Sequence, residues 1–207
     1  MTPSTRILAA AVAALLLLVA AMLAIRNIGQ SPAQLTGATV LPAPMALPEF
    51  RLVDQNGEAF TPQSFLGRRT LVFFGFTHCP DICPATLQQL AVARRKLAEK
   101  GVDESALPEI LLISVDPKRD TPEILRQYTA HFGSAAAGAS GEIGELQKLT
   151  SALGIFFAAE APAGDDYNVN HSAAVLLINA RAEFEAVFSA PLDIDSLVSD
   201  LQILTSR

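Results

Sequence analysis

Nineteen consecutive apolar residues, Ile7 to Ile25 (ILAAAVAALLLLVAAMLAI), stand between Arg6 and Arg26. At about 1.5 Å per residue, a helix of that length nearly spans a bilayer core of about 30 Å, which predicts an N-terminal transmembrane helix. Val19-Ala20-Ala21 offers a small-X-small cleavage site, but the apolar run continues past it, so an uncleaved anchor over 1–26 is the expectation. The next stretch, Asn27 to Leu47, has neither helical nor strand period and collects Pro, Gly, Ser and Thr, which predicts a linker over 27–47 and a folded domain over 48–207.

Within that domain the period changes repeatedly. Asn56-Gly57 lies between two short apolar segments of FRLVDQNGEAF and predicts a hairpin turn. Thr70 to Phe76 (TLVFFGF) and Ile110 to Val115 (ILLISV) are nearly unbroken apolar runs, as expected of strands buried on both faces. Between them, Leu87, Leu90, Ala91, Leu97 and Ala98 recur at helical spacing, and Pro84 suits a first helical turn. Asp120-Thr121-Pro122-Glu123 opens a second helix as a capping arrangement, and a third is expected around Glu142 to Leu153. Gly133 to Gly141 (GSAAAGASG) reads as a loop. Ser172 to Ile178 and Ala182 to Phe188 predict two further strands, and a last helix follows near Asp193 to Thr205. Strands alternating with helices predict an α/β sandwich around a mixed sheet.

Charge narrows the function classes. The net charge is −6, and without the two arginines that flank the apolar run there are 21 acids against 13 bases, a balance that argues against nucleic acid as a partner. The two cysteines of the chain, Cys79 and Cys83, both lie in FFGFTHCPDICP, where a buried strand ends and a helix begins. Unpaired N–H groups and the helix dipole at such a place favour thiolate over thiol. Positions i and i+4 on a helical turn can chelate one soft metal or close a disulfide. Three readings are therefore open: a structural staple, which so short a loop makes weak; a thiol–disulfide exchange pair; and a metal site.

A metal site needs a further ligand, and the histidines are His78, His131 and His171. His131 falls late in a predicted helix, where a terminus-stabilising role is expected. His78 is adjacent to Cys79, and neighbouring residues point in different directions. His171 follows the polar stretch DDYNVN at the mouth of a strand. Two thiolates and one imidazole would suit copper and would lack the fourth ligand of a closed zinc site.

Three separated motifs, GFTHCPDICP, SVDPKRDTPE and YNVNHS, behind an N-terminal anchor, closely resemble the SCO/SenC family of copper metallochaperones over about Leu47 to Leu204. The resemblance implies a thioredoxin-like domain that binds one copper, as Cu(I) or Cu(II), through Cys79, Cys83 and His171. It implies delivery of copper to the CuA site of cytochrome c oxidase subunit II, or reduction of cysteines there. It also implies a bacterial inner-membrane location with the soluble domain in the periplasm, a reducing thioredoxin-like partner for a Cys79–Cys83 disulfide, and another periplasmic copper chaperone as a partner. Asp116, which ends a strand in the SVDP motif, is a candidate to flank the metal or to cap a turn. Asn170 stands where relatives often carry Asp, which alters the charge beside the expected metal. The alternative function is a periplasmic thiol–disulfide oxidoreductase that uses the two cysteines without His171.

Overall fold

The computed structural model describes residues 34–159 and 167–205. The predicted anchor, Ile7 to Ile25, lies outside the described residues, among which no helix is long and apolar enough to cross a membrane.

An eight-stranded mixed sheet forms the centre, in the order β1-β10-β9-β4-β5-β6-β2-β3. Its strands are β1 (Ala38–Ala46), β2 (Leu52–Asp54), β3 (Ala59–Phe60), β4 (Thr70–Gly75), β5 (Glu109–Ser114), β6 (Ala136–Ser140), β9 (Val175–Ile178) and β10 (Glu183–Phe188). A separate pair, β7 (Phe157–Ala159) and β8 (Val169–His171), runs antiparallel. The helices are α1 (Ile82–Glu99), α2 (Pro122–Ala130), α3 (Ile143–Ala152) and α4 (Ile194–Thr205).

β4, β5 and β6 are parallel neighbours, joined through α1 and α2. Both crossovers step the same way along the sheet, so right-handed connections place α1 and α2 on the same face. The register agrees: Phe73, Leu112 and Gly138 are in line across three strands and therefore share a face. A Cβ on Gly75 would meet Cys83 of α1, and one on Gly138 would meet Leu125 of α2. Every residue of β4 is buried, as its unbroken apolar run requires. Cys83, Leu87, Leu90 and Leu97 form the buried stripe of α1, so the second cysteine lies on the core face of its helix. The hairpin predicted at Asn56-Gly57 joins β2 and β3, with Gly57 N–H donating to Asp54 O at 3.0 Å.

Two segments of the central sheet differ from the sequence reading. Part of the expected linker is strand: Ala38–Ala46 pairs with β10, and the compact unit begins at Leu35 instead of near Pro48. Pro42 and Pro44 obscure the strand in the sequence, yet β1 is a sheet edge, where a missing N–H need not face a neighbour. The expected loop of small residues contains β6, which is enclosed between β5 and β2. Its glycine and alanines are explained by α2: a Cβ on Gly138 would lie 3.0 Å from Leu125 Cβ, so larger residues would push the helix off the strand.

Asp200 of α4, fully buried, fixes the start of β1. Its carboxylate accepts from Thr36 N at 2.9 Å, Gly37 N at 2.7 Å and Ala38 N at 2.7 Å. Asp200→Ala leaves three backbone donors without that acceptor and should destabilise the fold by about 3 kcal/mol. Urea unfolding measures this, with amide hydrogen exchange at Thr36 to Ala38 accelerating in step; an unchanged midpoint would show that β1 is held by its pairing alone.

Candidate metal centre

β4 ends at Gly75 and α1 begins at Ile82, so the segment between them must turn while carrying Cys79. Cys79 N–H donates to Phe76 O at 3.3 Å, and the Cys79 sulfur accepts from Cys83 N–H at 3.4 Å, an otherwise spare donor of the first helical turn. Cys83 is fully buried, Cys79 is 8% exposed, and neither forms a disulfide. Gly75 is the last residue of β4. Its hydrogen makes room for the thiol: a Cβ there would lie 2.8 Å from Cys83 Sγ and 2.9 Å from the Phe73 ring.

His171 arrives from β8, where it is paired with Phe157. Its Nε2 is 3.4 Å from Cys83 Sγ, and its Nδ1 is 3.1 Å from Ser172 O. A carbonyl only accepts, so Nδ1 carries the hydrogen and the Nε2 lone pair faces the sulfur. Phe73 and Phe76 meet the imidazole edge-on at 5.6 and 5.9 Å and fix its plane. One donor atom each from Cys79, Cys83 and His171 lies within 4.8 Å of the others, a grouping that can hold a metal ion.

Burial governs the protonation of this group. It raises the Cys83 thiol well above its ordinary value; the Phe76 backbone opposes this, and the neighbouring Cys79 and the Asp120 charge reinforce it. The low thiol pKa expected at a helix start is therefore reversed at Cys83, because desolvation outweighs the helix terminus. Burial also lowers His171, against the opposing Ser172 carbonyl, so its imidazole is neutral at physiological pH. The donor set fits a soft cation: two sulfurs, a neutral nitrogen correctly oriented, and a buried thiol that a positive charge would ionise.

The remaining candidates separate clearly. His131 is exposed at the end of α2, its ring against Tyr128 O. His78 is half exposed and turns to Thr77 and Asp120, outside the three-donor group. Asn170 is exposed and alternates with His171 along β8, so strand geometry directs it to the opposite face, away from the expected metal. Asp116 is buried and accepts from Tyr167 Oη at 2.6 Å and from Arg119 Nε. Arg119 also donates to Tyr167 O at 2.9 Å and stacks 3.8 Å from the centre of that ring. Asp116 thus fastens Tyr167, just before β8, and is not one of the three grouped donors.

Sequence reasoning missed Asp120. It reads there as part of a helix cap, but the cap of α2 is Thr121, and Asp120 points elsewhere. Its carboxylate accepts from Thr77 N at 2.9 Å, Thr77 Oγ1 at 2.6 Å and Ser114 Oγ, tying the cysteine loop to the end of β5. The signal was its place inside SVDPKRD, which spacing alone does not distinguish from a cap.

The sequence matches the SCO1/SenC family over residues 40–206. The chain belongs to the SCO1/SenC family. An SCO2-like protein of Rickettsia felis is 36% identical over 138 residues, 66% of this chain and 65% of that protein. The copper-bound crystal structure of Arabidopsis thaliana ScoI superposes with a TM-score of 0.71 at 29% identity, covering 78% of this chain and 99% of that one. Copper-bound Bradyrhizobium japonicum ScoI gives 0.66 at 31% identity, covering 76% and 98%. These likenesses to SCO1/SenC structures establish the thioredoxin-like α/β fold with its central mixed sheet.

Gly75→Ala should force the Cys83 side chain or α1 to move, at a cost of about 1–3 kcal/mol. Chemical unfolding measures that loss, and Cys83 should become more reactive to a thiol reagent under native conditions. Wild-type stability together with wild-type thiol reactivity would show that the site absorbs a methyl group without strain.

Proposed function

We propose that this chain is a copper chaperone of cytochrome c oxidase assembly that carries one copper on Cys79, Cys83 and His171. The observation that carries this reading is the three-donor group, two sulfurs and an imidazole nitrogen within 4.8 Å, in a chain of the SCO1/SenC family. The copper-bound state of related ScoI proteins supports it.

Two thiolates favour Cu(I), and the imidazole extends the set to Cu(II). The cysteines share one loop and helix, whereas His171 belongs to β8 and is only half buried. A partner's ligand can displace the nitrogen while both sulfurs keep hold, which gives a route for transfer. Family membership supports oxidase subunit II and its CuA site as the recipient. The apolar run Ile7 to Ile25 supports a single-pass inner-membrane anchor with the domain in the periplasm, an oxidising compartment in which a reducing thioredoxin-like protein would keep the cysteines ready.

The competing oxidoreductase reading gives His171 no part. It also requires a ready thiolate, and burial opposes one at Cys83.

Copper analysis of the full-length chain tests the proposal: about one copper per chain after reduction and almost none after oxidation to the disulfide. Equal loading of both forms would overturn it. His171→Ala separates the two readings. Cu(I) affinity, measured by chelator competition, should fall at least about tenfold, or about 1.4 kcal/mol. Cu(II) binding should be lost more completely, while disulfide exchange by the copper-free thiols stays near wild type. Unchanged binding of both ions would remove His171 from the site.

A further inference from the structure

His171 ends a three-residue strand, β8, that pairs with β7 and takes no part in the eight-stranded sheet. The ladder that fixes β4, and with it the approach to the cysteines, therefore does not fix the imidazole. Other contacts must hold its Nε2 3.4 Å from Cys83 Sγ.

Arg119 reaches the imidazole by two routes. Along the chain, its Nη2 donates to Tyr167 O at 2.9 Å and its guanidinium stacks 3.8 Å from the centre of the Tyr167 ring, just before β8 begins. Through space, the same guanidinium lies 5.7 Å from the centre of the Phe76 ring, and Phe76 meets the His171 ring edge-on at 5.9 Å. The buried Asp116 carboxylate accepts from Arg119 Nε and from Tyr167 Oη, which fixes the guanidinium and the tyrosine ring against each other. This combination needs arginine: a planar guanidinium donates within its plane while its face covers an aromatic ring, whereas a lysine ammonium is a point charge with no plane to stack.

We propose that Arg119 is a positioning residue for His171: by clamping Tyr167 and backing Phe76, it keeps the imidazole nitrogen beside the Cys83 sulfur. The third donor is then in place before a metal arrives. The use of this arrangement rests on the copper reading above, but the arrangement itself belongs to the copper-free chain. A donor that is in place only part of the time lowers the apparent affinity by that fraction.

The test treats the reduced, copper-free, full-length chain with diethyl pyrocarbonate, which acylates unprotonated imidazole, and follows each histidine by peptide mass spectrometry. Arg119→Lys keeps a cation for Asp116, and Tyr167→Ala leaves the Arg119–Asp116 pair intact while removing a side chain that is only half buried. In both variants His171 should react about fivefold faster than in wild type, and apparent Cu(II) affinity should fall by about the same factor. The exposed His131, far from the clamp in sequence and outside the donor group, should react as before. If Arg119 serves only to balance the Asp116 charge, lysine rescues it, and wild-type reactivity of His171 in a folded Arg119→Lys overturns the proposal. Should chemical unfolding show that Arg119→Lys does not fold, Tyr167→Ala decides: a selective rise at His171 upholds the clamp, and wild-type reactivity there overturns it. Unchanged His171 reactivity in both variants, with wild type binding copper, overturns the clamp and spares the copper reading. A selective rise in a chain whose wild type binds no copper upholds the clamp and overturns the copper reading.

Discussion

The buried Asp120 carboxylate, bonded to Thr77 and Ser114, is the joint on which the site depends. A carboxylate that is 2% exposed is tolerated only when its oxygens are satisfied, and charge-assisted bonds to a backbone N–H and two hydroxyls meet that demand. The same bonds fasten the loop carrying Cys79 to the end of β5. Four residues earlier, Asp116 fastens the approach to β8 through Tyr167, and Arg119 closes the link with a bond to the Tyr167 carbonyl. The loop of residues 116–120 therefore connects the element that supplies the sulfurs to the one that supplies the imidazole, although 88 positions separate Cys83 from His171.

Burial sets the chemistry that this scaffold delivers. It pushes the Cys83 thiol up and the His171 imidazole down, so the metal-free site favours neutral groups. A cation reverses the preference at sulfur without disturbing the nitrogen, whose tautomer is already fixed by Ser172. Loading a cation there would be coupled to loss of the Cys83 proton, and its release to that proton's return. The close packing that produces this balance is visible at Gly75, where no space remains for a methyl group.

Much of the fold was legible because its signals are local. Buried parallel strands need unbroken apolar runs, and Leu71 to Phe74 and Ile110 to Ile113 are such runs. The stripe on α1 has helical period, and Asn56-Gly57 marks a hairpin. What stayed hidden was set by neighbours. β1 carries prolines because it is an edge, and β6 is poor in large residues because Leu125 and Thr129 of α2 occupy the space above Gly138. Local composition signalled a linker and a loop at places where the sheet required strands.

The candidate site divides along the same line. The sequence by itself determined the donor types, the four-residue step from Cys79 to Cys83 at a strand-to-helix junction, and a short set of histidines from which a third donor had to come. Only the tertiary structure decided that His171 is the histidine grouped with the two sulfurs, that His78 faces Asp120, that Asn170 turns away, and that burial overrides the helix terminus at Cys83. The physical reason is that residue identity and spacing set which bonds a side chain can make, while its distance from partners far along the chain, and the water removed around it, are fixed when β8, α2 and the cysteine loop pack together.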